Sequence, residues 1–346
     1  MPSLYEVTRE ELSELLRDEP RYRVDQVWHG LWTTNESIES ISTIPKSLRA
    51  SLAERFPSSL RVIEDVASDH GATRKWVLEL HGGSTIETVL MLYEDRATVC
   101  ISSQAGCAMG CTFCATGQAG FSRQLSVGEV VEQVLFAARH AVPRRLSNVV
   151  FMGMGEPLAN YPVTVEVLRR LQAYRGMSAR HLTVSTVGVA PAIERLAREG
   201  LPVTLAVSLH AANDVTRSEL VPLNRRYPLA RLREACAYWS ATTKRRLSFE
   251  WALIDQVNDT PRASDELADY ALGLGAHVNL IPLNPTPGYL VRGSSPERVR
   301  DFRDALVERG VNVTVRQTRG RSIAAACGQL AHVANAKRTT VRVRTR

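Results

Sequence analysis

The spacing of apolar residues changes twice along this chain. In the first stretch it is helical: VTREELSELLRD opens with Thr8 and acidic residues and then places leucines three and four apart. YRVDQVWHGLWTT continues that spacing, and Pro45 is well placed to start a further helix that runs to Phe56. Trp28, Leu31 and Trp32 form an apolar face, which reads as a small helical core rather than a base-stacking platform. From Arg61 to Leu92 the spacing shortens to alternation in KWVLELHGGSTIETVLMLY, and His81-Gly82-Gly83 marks a hairpin turn. Beyond Ala97 apolar runs (ATVCISS, SNVVFMGM, HLTVSTV, PVTLAVSLH, RLSFEWALI, HVNLIPL) alternate with helical segments from VGEVVEQVLFAARH to SPERVRDFRDALVERG, and NVTVRQT is a candidate last strand. Such Val/Ile/Leu runs suit strands buried on both faces in a parallel sheet covered by helices.

Polar residues at the strand ends separate a barrel from a flat sheet. Gln104 to Cys114 follow the first strand, Gly153-Met154-Gly155-Glu156-Pro157 the second, and Ser185-Thr186 close the third. Ser208-Leu209-His210 close the fourth, Glu250 lies in the fifth, and Asn284-Pro285-Thr286-Pro287-Gly288 follow the sixth. Barrel enzymes assemble their sites from loops at the C-terminal ends of strands. Groups at one end of every strand converge on one small ligand only if the sheet curls. The expected fold is therefore α/β, an open six-stranded (β/α)6 barrel with a small helical N-terminal domain.

Composition adds little to that picture. The chain has 346 residues, 44% hydrophobic and 23% charged, as expected of a packed core in one large domain with an appendage or in two domains. No apolar run is long enough to cross a bilayer, and the N-terminus carries acids where a signal peptide carries bases, so a cytoplasmic protein is expected. The net charge is +7, and the segment from Lys337 to Arg346 holds five basic residues and no acid, as a phosphate-binding surface or a disordered tail would.

The cysteines carry the chemistry. Cys107, Cys111 and Cys114 form a C-x3-C-x2-C triplet in GCAMGCTFC. Three thiolates at this spacing can hold three irons of a cubane and leave the fourth to another ligand. The competing reading is a zinc site completed by Cys100 or a histidine. By themselves, Cys100 in its apolar strand and Cys327 among alanines could be inert core cysteines, and Cys236 is assigned to packing.

Three motifs in order, GCAMGCTFCATGQAGFSRQLSVGEVVEQV, NVVFMGMGEPLANY and RGRSIAAACGQLA, resemble the RlmN/Cfr group of radical S-adenosylmethionine (SAM) RNA methyltransferases, over nearly the whole chain. The ending VRQTRG…AACGQL is more like RlmN, which methylates adenosine C2, than Cfr, which modifies C8. The resemblance implies one [4Fe-4S] cluster on Cys107, Cys111 and Cys114, whose open iron binds SAM, with two SAM consumed per turnover. Gly155 and Glu156 match the element that holds the SAM amino end, and Ser185, Ser208, Leu209, His210 and Asn284 match other SAM-contacting positions. Without the match, Ser185 reads as a strand-end cap and His210 as a loop histidine. Cys327 matches the thiol that becomes an S-methylcysteine intermediate, and Cys100 the resolving thiol that forms a transient disulfide with it. Glu87, in IETVL, matches the proposed base for the C2 proton. The implied substrates are 23S rRNA and tRNA, with a flavodoxin or ferredoxin as electron donor, no membrane and a monomeric chain.

On this reading residues 1–60 form the helical RNA-binding accessory domain and 61–96 a β-hairpin extension. Residues 97–322 form the core, and 323–346 the catalytic cysteine loop with the basic tail. Ala324 stands where the RlmN pattern has Asp, and Arg321-Ser322 replaces an acidic pair. The alternatives are a Cfr-like C8 methyltransferase conferring antibiotic resistance, and a non-catalytic RNA-binding protein stabilised by zinc or a cluster.

Overall fold

A computed structural model describes residues 3–286, 288–317 and 319–330. The basic segment Lys337–Arg346 lies outside the described residues.

The N-terminal part contains α1 (Arg9–Leu15), α2 (Tyr22–His29) and α3 (Lys46–Arg55). Thr8 starts α1 through a capping box: its hydroxyl accepts from the Glu11 amide at 3.1 Å, and its amide donates to the Glu11 carboxylate at 2.7 Å. Trp32 is fully buried, and its ring lies 5.1 Å from Tyr174 while Trp28 lies 4.8 Å from the same ring. These aromatics therefore pack the helical part onto the rest of the chain, as a core face and not a free stacking platform.

Ten strands form one sheet in the order β1-β2-β3-β4-β7-β8-β9-β10-β11-β12. The strands β1 (Leu60–Ser68), β2 (Thr73–Leu80) and β3 (Thr85–Leu92) are antiparallel neighbours, and β3 pairs antiparallel with β4 (Ala97–Cys100). The expected hairpin turn at His81–Gly83 joins β2 to β3, but a third antiparallel strand precedes them and all three extend the main sheet. The two strands β5 (Gln104–Gly106) and β6 (Phe121–Gln124) make a separate ribbon. Between them run the cysteine triplet and α4 (Ala115–Ala119), so the ribbon pins both ends of the cysteine loop.

Then come α5 (Val127–His140), β7 (Leu146–Phe151), α6 (Tyr161–Ala173), β8 (Leu182–Thr186), α7 (Ala190–Ala197) and β9 (Thr204–Ser208). They are followed by α8 (Asp214–Leu220), α9 (Leu229–Thr243), β10 (Ser248–Leu253), α10 (Pro261–Leu272), β11 (His277–Pro282), α11 (Pro296–Glu308) and β12 (Asn312–Val315). Within the main sheet every pairing from β4 to β12 is parallel, and among the described residues β1 and β12 are its two edges. The sheet is an open barrel, and NVTV joins it as a seventh parallel strand.

One face of these strands is dry under the helices: Val149, Val184, Leu205, Phe249 and Leu280 are fully buried. The lumen face differs from the expected apolar one. Its lower half is lined by Thr98, Asn148, Thr183, Thr204, Ser248, Asn279 and Thr314, so the strands bury polar groups along the axis. Gln133 of α5 ties the antiparallel strands to the barrel. Its Oε1 accepts from the Thr88 hydroxyl and the Ser102 amide, both at 2.8 Å, and its Nε2 donates to the Ser102 carbonyl at 3.0 Å. Among the described residues no helix is long and apolar enough to cross a membrane.

Candidate active site

The C-terminal ends of the parallel strands enclose a cavity lined by Cys107, Cys111, Cys114, Gly155, Glu156, Ser185, Ser208, His210, Asn284 and Cys327. Convergence at the strand ends is therefore what the fold delivers. Leu209 and Glu87 are not among the lining residues. Leu209 is fully buried, and its carbonyl accepts from Arg217 Nε at 3.1 Å.

The glutamate loop is fixed by close backbone approach. Gly155 has φ +101°, and a Cβ there would fall 2.8 Å from the Gln104 amide nitrogen, so only glycine fits. Behind it the Glu156 amide donates to Gln104 Oε1 at 2.8 Å. The Glu156 carboxylate accepts from the Val187 and Leu158 amides at 2.8 and 3.0 Å. Burial nevertheless pushes its pKa up to about 7. A cationic group arriving beside it would favour the charged form.

His210 has a different standing. Burial first, and the Arg217 guanidinium second, pull its pKa down to about 3, so its ring is neutral at physiological pH. Its Nδ1 accepts from the Ala252 amide at 2.9 Å and its ring meets Phe113 edge-on at 4.7 Å. It organises the β9–β10 end of the cavity. Asn284 Nδ2 donates to the Cys327 carbonyl at 3.2 Å, while its Oδ1 is buried with no partner.

The donor set fits a cluster and SAM. Three cysteines share the cavity with a carboxylate, two serine hydroxyls and an orphaned amide oxygen, a match for a ligand carrying amino, carboxylate and hydroxyl groups. Among the described residues no group of three or more His, Cys, Asp or Glu is gathered for a single metal ion. Burial raises Cys107 to about 12 and Cys111 well above the usual thiol value, so ligation to a cation is what would hold them ionised.

A second cavity opens at the side of the barrel, lined by Val89, Met91, Cys100, Arg316, Arg319 and Cys327 among others. Cys327 therefore stands on the wall of both cavities, while Cys100 faces the side cavity alone. All six cysteines are free. The expected Cys100–Cys327 disulfide is not present: both thiols are free.

The loop that carries Cys327 is stitched to distant elements. The Gly328 carbonyl accepts from the Ala115 amide at 2.7 Å, at the start of α4, and the Leu330 carbonyl accepts from the Thr116 hydroxyl at 3.0 Å. Gln329 Nε2 reaches the Pro285 carbonyl at 3.0 Å, and the Gly320 amide reaches Asp69 at 3.0 Å. Ala324 sits at φ +49°, a left-handed conformation that Asp or Asn tolerates better than Ala.

Sequence reasoning missed Lys75. It lies in β2, only 2% exposed, with Nζ 3.4 Å from the Glu87 carboxylate and 3.3 Å from the Ala324 carbonyl. Glu87 is equally buried and shares the β3 face of Val89 and Met91, beneath the cysteine loop. Removing one partner of a buried pair costs about 3–5 kcal/mol, whereas replacing both with apolar groups is often neutral. Lys75→Met alone is expected to destabilise the protein by several kcal/mol. Adding Glu87→Leu should recover most of that loss in denaturant melts, and equal losses in the single and double variants would show that the pair does not act as a unit.

A Radical SAM superfamily profile matches residues 101–268, which contain the cysteine triplet, Glu156, Ser185, Ser208 and His210. The fold is that of a radical SAM enzyme. A crystal structure of a radical SAM methyltransferase from Sphaerobacter thermophilus is 48% identical, covers 96% of this chain and 99% of its own, and superposes with a TM-score of 0.92. The probable dual-specificity RNA methyltransferase RlmN of Frankia casuarinae is 51% identical over 95% of this chain and 82% of its own length. That of Chloroflexus aurantiacus is 47% identical over 95% and 92%. The chain belongs to the RlmN family of radical SAM RNA methyltransferases, which implies a [4Fe-4S] cluster and SAM.

Proposed function

We propose that this protein methylates C2 of an adenosine in 23S rRNA, and of one in tRNA, through a methyl group carried on Cys327, in the cytoplasm. The observation that carries the reading is the position of Cys327 on the wall of two cavities, one with the cysteine triplet and the other with Cys100. The substrates follow the dual-specificity RNA methyltransferase name of its relatives at about half identity, which also favours C2 over the C8 alternative.

Cys107, Cys111 and Cys114 would hold the cluster, and Glu156, Ser185, Ser208 and Asn284 would hold SAM. Bound together, these groups supply a methyl group and a hydrogen-abstracting radical, with two SAM used per turnover and the electron coming from a flavodoxin or ferredoxin. Cys327 Sγ gives up its proton and takes the methyl; with cluster and SAM bound, the radical would take one hydrogen from that methyl, the carbon would bond to the base as a thioether, and the electron left on the adduct would return to the cluster. The resemblance gives the displaced ring proton to Glu87, which is buried against Lys75 and off both cavity walls and would have to be uncovered to take it. Cys100 then attacks Cys327 Sγ as a thiolate. The S–S bond forms and the Cys327 S–C bond breaks, leaving its electron pair on the carbon. That carbon takes a proton to become the product methyl, and an external thiol reductant restores both cysteines.

The test is nucleoside mass analysis of 23S rRNA and tRNA from a strain lacking the gene and from the same strain complemented. 2-Methyladenosine should vanish and return. Unchanged 2-methyladenosine sinks the proposal, and loss of 8-methyladenosine instead moves the activity to C8.

A further inference from the structure

The thiol exchange proposed above needs Cys100 as a thiolate, yet its surroundings oppose that. Cys100 ends β4, pairs with Val89 and Val150, and is buried. A nucleophilic thiol in so apolar a place needs a cation nearby.

Arg316 is the group placed to provide it. It follows β12, and its amide donates to the Leu280 carbonyl at 2.8 Å, which continues the register onto β11. Its side chain falls on the lumen side, with Thr314 two residues earlier hydrogen-bonded to the lumen residue Asn279 at 3.2 Å. Arg316 and Met152 line the catalytic cavity, the side cavity and the polar basin below them. Arg316 therefore lines a wall common to three spaces, of which Cys327 lines two and Cys100 the side cavity. Nη1 points at the Met152 sulfur at 3.9 Å. Among the described residues Arg316 forms no ion pair.

The other charged groups around Cys100 are engaged. Arg319 lies over the Tyr93 ring at 4.4 Å and donates to the Leu92 carbonyl at 2.8 Å. Glu87 pairs with Lys75. Glu250, across the lumen on β10, accepts from Asn279 at 2.7 Å and Ser248 at 3.3 Å. On the far face of the sheet, Glu129 is held by Arg123, and Glu132 by Ser58 and the Ser59 amide at 2.9 Å. Among the described cations near Cys100, Arg316 has neither a carboxylate nor a carbonyl hydrogen-bonded to its guanidinium, although the Glu250 carboxylate across the lumen lies within its field and offsets part of its charge.

We propose that Arg316 is a positioning residue for the resolving step, stabilising the Cys100 thiolate as it attacks Cys327. Electrostatics support this: burial and Cys327 push Cys100 up to about 12 while Arg316 opposes them, and Cys327 is the leading cause that makes Arg316 hold its proton more firmly. No claim on RNA chemistry is needed to test it.

The experiment is anaerobic alkylation of the cluster-loaded enzyme with iodoacetamide across pH, with the Cys100 peptide followed by mass spectrometry. In Arg316→Gln the Cys100 rate at a fixed alkaline pH should fall about tenfold, equivalent to a rise of one unit in its titration midpoint. Arg316→Lys should recover part of the rate, because the cation is kept without the planar fork. The thiol Cys236, buried in α9, should stay as it is. If Arg316→Gln loses its cluster, Arg316→Met carries the same expectation with a better-matched apolar stem. Wild-type alkylation in the neutral variants overturns the inference, as does a Lys variant that behaves like Gln. Should alkylation respond as expected while Cys100→Ala yields no RNA adduct, the thiol–guanidinium contact stands and the proposed reaction fails.

Discussion

Replacing Cys327 by Ala is expected to abolish methyl transfer to RNA while leaving the cluster's iron content and absorbance unchanged. The sulfur is the only atom removed, and no other described cysteine lines both the catalytic and the side cavity. Loss of a covalent nucleophile costs several orders of magnitude in rate, so product should fall at least about a thousandfold in an assay on rRNA lacking the modification. The loop should stay in place, because its fixings run through the carbonyls of residues 327, 328 and 330 and not through the thiol. Loss of iron in this variant would give Cys327 a structural role and remove the basis of the proposed function.

Cys100→Ala should behave in the opposite way. The methyl still reaches Cys327 and the base, but the thioether cannot be opened, so one equivalent of RNA remains covalently attached to the protein. Denaturing gels and mass analysis of the Cys327 peptide read this directly, and an adduct-free protein would exclude the release role. The wild-type step also has a signed pH dependence. Cys100 is pushed above the usual thiol value by burial, so the reactive thiolate is the minor form at neutral pH. Adduct release should therefore accelerate about tenfold for each pH unit until the thiol titrates near pH 12. A flat profile between neutral and mildly alkaline pH would mean that another step limits release.

Much of this arrangement was legible in the sequence because it rests on local rules. Thr8 and Glu11 cap a helix whatever the rest of the chain does, and strand-end polar residues in repeated β–α units converge by topology. The polar lumen was not legible, since Thr183, Thr204 and Ser248 alternate with Val and Leu as outward residues would. Lys75 gave no signal of its own because its partner Glu87 comes from the next strand. Arg316 offered a weak signal, a lone cation ending a short strand at the functional end of the barrel. The left-handed backbone at Ala324 had only the missing Asp to announce it.

The stitched loop also bears on the order in which the protein matures. Its anchors at Asp69, Lys75, Ala115, Thr116 and Asn284 lie 43 or more residues upstream, and such long-range closures form only after the elements that offer them. During synthesis Cys327 is also the last of the six cysteines to emerge. The triplet thus leaves the ribosome well before the methyl carrier, whose loop can close only onto elements already made.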